Sequence, residues 1–191
     1  MFACGDKPLV NPWHSSTFSV GSFPMNLGRE WKYLRVDRLT GTEKRDTIMM
    51  KVVSDSVDTL GNQYFWLTFT HNNQQMIDSQ FVQYTPDSLV FLTKEGQLFN
   101  KFQMPLKDSL EWKGWVNTDK YSVGHFHTTV TSYGITHDSS VSVSRNFLVA
   151  ANHQITQSIY FKPNKGLVQM YFYEFWGTIK QKDETWVLME N

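Results

Sequence analysis

The chain is nearly without cysteine. Cys4 stands alone among 191 residues, so neither an internal disulfide nor a cysteine-rich zinc site can be built from it. It has no excess of charge either: 18 basic and 18 acidic residues cancel. They are well mixed and form none of the basic patches that phosphate neutralisation needs, which excludes nucleic acid as a partner. The densest charged run, Arg29 to Asp46, alternates in sign like the solvated face of a hairpin. No segment approaches the ~20 apolar residues of a membrane-spanning helix. Linear signatures of catalysis are also missing, with no Gly-x-Ser-x-Gly, His-Glu-x-x-His, phosphate-binding loop or Gly-x-Gly-x-x-Gly. No cofactor is expected. Sites assembled from distant residues leave no such trace, so an enzyme stays open, although the balance leans away from one.

Aromatic residues are plentiful: 14 Phe, 8 Tyr and 7 Trp. A chain of this length buries roughly 70% of its unfolded surface, so these rings can fill a core without disulfides. One phrase occurs twice. Phe23-Pro24-Met25-Asn26-Leu27-Gly28-Arg29-Glu30-Trp31-Lys32 returns as Met104-Pro105-Leu106-Lys107-Asp108-Ser109-Leu110-Glu111-Trp112-Lys113, 81 residues later. A bulky residue, a Pro that fixes φ, a short turn and then a Trp entering an apolar run begin a strand. The repeat therefore reports architecture rather than chemistry.

Elsewhere the period is two, broken by turns at Gly41, Gly61-Asn62, Asn72-Asn73, Thr85-Pro86-Asp87, Lys94-Glu95-Gly96 and Gly134. Alternation lapses at Phe147 to Ala151, where a short helix is expected. The resulting expectation is an all-β antiparallel meander of roughly ten to twelve strands, curled into a curved sandwich or open barrel. Its related halves cover about 23–103 and 104–191, and residues 1–20 read as a tether before a single domain spanning 21–191.

Met1-Phe2-Ala3-Cys4-Gly5-Asp6-Lys7-Pro8 resembles the cleavage region of a bacterial lipoprotein, in which a small residue precedes the lipidated Cys. The charged and apolar regions of a signal peptide do not fit in three residues. Lipidation of Cys4 therefore expects them upstream of Met1; the alternative is a plain N-terminus with an exposed thiol. The stretch from Phe23 to Tyr33 resembles the opening of a group of largely uncharacterised bacterial envelope lipoproteins, Phe-Pro-Leu-x-x-Gly-x-x-Trp-x-Tyr. Met104-Pro105-Leu106 to Trp112 is similar to their central element, with Asp108-Ser109 where Gly is usual. Tyr160 to Val168, ending in Gly166-Leu167-Val168, is similar to the late one. Val143 to Phe147 lacks the Pro-Ala-Gly-Thr-Phe turn that often precedes that late motif. The resemblance implies an all-β lipoprotein of the bacterial cell envelope, periplasmic or on the outer membrane, anchored to the membrane through its lipid. It brings no catalytic residues with it.

Three constellations have chemical potential. His125 and His127 alternate on a strand and His137 follows beyond Gly134, a weak metal candidate completed by Asp119 or Asp138. The plain reading is solvent-facing histidines, and no metal is expected. Glu30 and Glu111 hold equivalent places in the two phrases and would resemble a glycosidase pair if they converged; pinning the strand-entry turn is the plainer role. Finally, Met170 to Trp176 is apolar on both faces, as in a strand between two layers or beside a cavity. Tyr171, Tyr173 and Trp176 are the candidate ligand-binding residues there. The reading that follows is a non-enzymatic envelope lipoprotein that binds or scaffolds an envelope component, in its most concrete form a hydrophobic, lipid-like ligand. A glycan-binding accessory lipoprotein is the alternative, and a hydrolase with a spatially assembled Glu or His site comes third.

Overall fold

The computed structural model describes residues 23–72, 75–85, 87–93, 98–103, 106, 111–113 and 120–189. The described residues form twelve strands: β1 (Glu30–Asp37), β2 (Lys44–Val57), β3 (Gln63–His71), β4 (Gln75–Thr85), β5 (Ser88–Thr93), β6 (Leu98–Gln103), β7 (Glu111–Lys113), β8 (Lys120–Ser132), β9 (Ile135–Ala150), β10 (His153–Lys162), β11 (Gly166–Trp176) and β12 (Ile179–Leu188). All ladders are antiparallel, and the order β6-β5-β4-β3-β2-β1-β12-β11-β10-β9-β8-β7 makes one sheet. Two six-stranded meanders thus run outward from a central β1·β12 pair. The repeated phrase marks their first strands, since β1 opens at Glu30 and β7 at Glu111. Met25 and Leu106, equivalent in the phrase, are both buried.

The sheet is strongly curled. Laid flat, β6 and β10 would stand about 38 Å apart at the usual strand spacing. Instead, the rings of Phe102 on β6 and Phe161 on β10 lie 5.0 Å apart, and Phe102 also meets Tyr121 on β8 at 6.1 Å. The interior so enclosed is an open half-barrel, plugged at one end by aromatic rings. Phe23 packs there against Trp31, Tyr84 and Phe161 at 6.1–6.4 Å. The segment that carries Phe23 is stitched to β2 by Gly28 N to Val52 O and Val52 N to Arg29 O, each 2.9 Å.

One element differs from the expectation. Phe147 to Ala150 belong to β9, not to a helix. The alternation lapses because the β9·β10 register shifts at His153/Gln154, and a bulge spoils a period-two pattern without ending a strand. The β8–β9 hairpin is far longer than its neighbours require. Tyr133 and Gly134 both have positive φ at its tip, as a tight hairpin turn needs. The Tyr133 hydroxyl accepts a hydrogen bond from Arg38 Nη1, and Arg45 stacks over its ring at 5.4 Å. The hairpin therefore runs back over the outer face of the sheet. Val36, Gln169, Thr185 and Val187 point outward by register and are nevertheless buried.

Candidate ligand cavity

β11 shows how one strand serves two environments. Gly166 to Met170 are buried throughout, and the second half is only partly buried. A register shift at Tyr160/Phe161 turns both Leu167 and Met170 toward the interior, opposite Phe161 and Ile159. From Met170 onward the even positions Phe172 and Glu174 continue along the inner face. There the half-barrel is not filled: a cavity of about 320 Å³ remains, at the small end of the range for ligand pockets.

The cavity is graded from apolar to polar. Its deep end is made by buried Met50, Phe91, Phe102, Ile159 and Met170. Phe69, Phe172 and Trp186 form the middle, with Trp186 meeting Phe172 at 5.7 Å and Phe69 at 6.2 Å. The mouth carries Arg35, Asp78, Glu174, Lys182 and Glu184. Arg35 faces Asp37, Asp46 and Glu184 at 3.6, 4.0 and 3.7 Å, and Lys182 faces Glu184 at 3.7 Å. Glu184 also accepts from Trp186 Nε1 at 3.0 Å, and His153 meets Glu174 at 2.6 Å. Between the two ends sits Gln157 on β10, buried and lining the cavity.

Of the three candidate ligand-binding residues, Tyr173 lines this cavity and Tyr171 and Trp176 do not. Tyr171 faces outward, beneath Arg38 at 5.9 Å, and its ring runs nearly parallel to that of Tyr173 at 6.0 Å. Burial, with the nearby Asp183 charge, raises the Tyr171 pKa above that of a free tyrosine. Trp176 is exposed and stacks flat on His153, 5.3 Å away. The strand's inner neighbours, Phe172 and Glu174, supply what the outward tyrosine does not.

The other constellations are spread apart. Glu30 is exposed and accepts from Lys51 Nζ at 2.6 Å, while Glu111 stands on β7, with five strands between it and β1 in the sheet order. His137 is fully buried on β9, opposite Val130, in step with the even-numbered positions of β8 rather than with His127. His125 falls in a register shift between Val123 and Phe126, which interrupts the simple alternation. The side chains of His125, His127 and Asp138, and all of Asp119 and Cys4, lie outside the described residues. Among the described residues no three His, Cys, Asp or Glu groups cluster as a metal site would require.

Arg35, Gln157, Lys182, Glu184 and Trp186 were not singled out by sequence reasoning. A signal was present. Gln157 interrupts Ile155 and Ile159, and Lys182, Glu184 and Trp186 share one phase of β12. Polar residues in the phase that should fill a core mark a place where the core is not filled.

No protein-family model matches the sequence, and no curated protein matches it. Among solved structures, the chain is similar to a Bacteroides fragilis protein of YmcC-like fold assigned as exported. The two share 12% identity and a TM-score of 0.50, over 91% of this chain and 98% of that one. A Parabacteroides distasonis protein assigned as a lipoprotein gives 14% identity and a TM-score of 0.46 over the same shares. At such identity, the first likeness concerns the fold alone.

Proposed function

We propose that this chain is a bacterial cell-envelope lipoprotein, anchored through Cys4, that binds a small hydrophobic or amphipathic ligand in the half-barrel without transforming it. The observation that carries the binding role is the cavity beside β11, apolar at depth and polar at its mouth. Such grading suits an amphiphile, because the apolar body is withdrawn from water while the head keeps its hydrogen bonds. Support for the compartment comes from the lipoprotein-like residues around Cys4 and the resemblance carried by Phe23 to Tyr33 and Gly166 to Val168. The exported assignment of the Bacteroides fragilis protein of similar fold agrees with it.

The test is an intact native mass spectrum of protein expressed from its own gene start and extracted gently from its own envelope. A diacylglyceryl-sized addition on Cys4 together with a co-purified small mass is the expected result. A bare species still carrying Met1 would remove the anchor. A ligand-free parent protein, or a co-purified mass that an Ile159→Trp variant with its cavity filled still retains, would remove the binding role.

A further inference from the structure

We propose that the cavity selects a short amphiphile with an uncharged, hydrogen-bond-donating head, such as a hydroxyl or primary amide, and discriminates against carboxylate and phosphate heads. This rests on the binding role proposed above and names the ligand class.

The first observation is Gln157. It is 5% exposed and lines the cavity, and its side-chain oxygen is buried with no hydrogen-bond partner among the described residues. A buried acceptor left unpaired is costly, and buried polar groups are paired in the great majority of cases. Gln157 belongs to the cavity wall, so a ligand in the cavity could supply the missing partner once the amide turns toward it. Below it lie Ile159 and Met170 and above it the charged mouth, so it marks the depth at which an apolar body ends and a head begins. The small volume limits that body to a single short chain.

The second observation is the charge at the mouth. Arg35 is the cation best placed to attract an anion, yet three carboxylates already surround it at 3.6–4.0 Å. Lys182 shares Glu184 with it. With Asp78 and Glu174 also on the wall, acidic groups outnumber basic ones, and an anionic head would meet net repulsion. Arg35 Nε is likewise buried without a partner.

The test is isothermal titration of the full chain with octanamide, octanoate and methyl octanoate at neutral pH, repeated on Gln157→Leu. Octanamide should bind at least about ten-fold tighter than octanoate, and also tighter than the ester, which has no donor. Gln157→Leu should lower octanamide affinity about five- to ten-fold and leave the ester unchanged, with thermal melting confirming that the variant folds. Octanoate binding as tightly as octanamide, or a Gln157→Leu variant indifferent to the amide, overturns the head-group inference alone. Binding of none of the three probes overturns the binding role with it.

Discussion

Gly166 is where the two most recognisable stretches of the sequence meet. It has φ +88°, and a Cβ built on it would lie 3.3 Å from Phe23 Cζ and 3.5 Å from Pro24 Cδ. Phe23 cannot easily give way, since its ring is held by Trp31, Tyr84 and Phe161. Two penalties therefore coincide in Gly166→Ala: the left-handed backbone and a crowded contact. Gly61 is a natural control, with φ +82° and nothing within 4 Å of the equivalent Cβ. Gly61→Ala should lose about 1–2 kcal/mol to backbone strain, and Gly166→Ala a further ~1–3 kcal/mol from overpacking. Urea midpoints at unchanged slope would read the difference, and equal losses would show that the Phe23 contact is slack. The same neighbourhood explains the Trp-x-Tyr of the opening motif. Trp31 Nε1 donates to Lys165 O at 2.7 Å and Tyr33 OH to Leu167 O at 2.9 Å. The early and late motifs are thus each other's binding partners, and what they encode is closure of the half-barrel end.

At the scale of elements, the β8–β9 hairpin is held on the outer face by one charged cluster. Arg38 joins Tyr133 at the hairpin tip to Asp183 on β12, which it meets at 3.0 Å through Nη2, and Lys180 donates to the other Asp183 oxygen at 2.9 Å. Burial alone would raise the Asp183 pKa. The hydrogen bonds and charges of Lys180 and Arg38 outweigh it, and the carboxyl is held below the usual carboxylate range. A carboxyl whose folded pKa is depressed contributes stability above its unfolded pKa and loses it as pH falls through the folded one. Asp183→Asn should therefore flatten the acid side of the stability–pH curve, below about pH 4, and expose the tip to proteolysis near Tyr133 at neutral pH. An acid limb as steep as that of the parent would move the effect to other carboxylates. Little of this could be read from sequence. Alternation revealed the strands because each ladder buries one face, but the fold-back of a hairpin is decided by contacts between residues nearly a hundred positions apart. The expected helix at Phe147 to Ala151 failed for a related reason, since a bulge at Val149 in β9, opposite His153 and Gln154, breaks the strand's period without breaking the ladder. The cavity was half legible: the doubly apolar β11 pointed to it, while its polar lining came from Arg35, in a run read as a solvated hairpin face, and from Gln157, Lys182 and Glu184, which stood in no motif.

At the scale of the whole molecule, the six-and-six meander raises the question of whether either half is a folding unit. The two sequence phrases stand at the starts of β1 and β7, so a cut between residues 103 and 104 yields two chains with matching entry motifs. The packing argues against independence. Phe102 of the first half is seated between Phe161 and Tyr121 of the second. Trp31 and Tyr33 spend their polar atoms on carbonyls of the second half. Separation would also bare the β1 and β12 edges, which pair over five positions from Tyr33↔Leu188 to Asp37↔Glu184, and unpaired apolar edges invite aggregation. Residues 1–103 or 104–191 expressed alone should be insoluble or unfolded. Expressed together, they should co-purify as a one-to-one complex with the β-sheet circular dichroism of the intact chain. Its melting temperature should be lower and concentration-dependent, because association replaces a covalent link. A cooperative, soluble melt from either half alone would mean that the meander closes its own core, and that the β1·β12 ladder joins two domains instead of completing one.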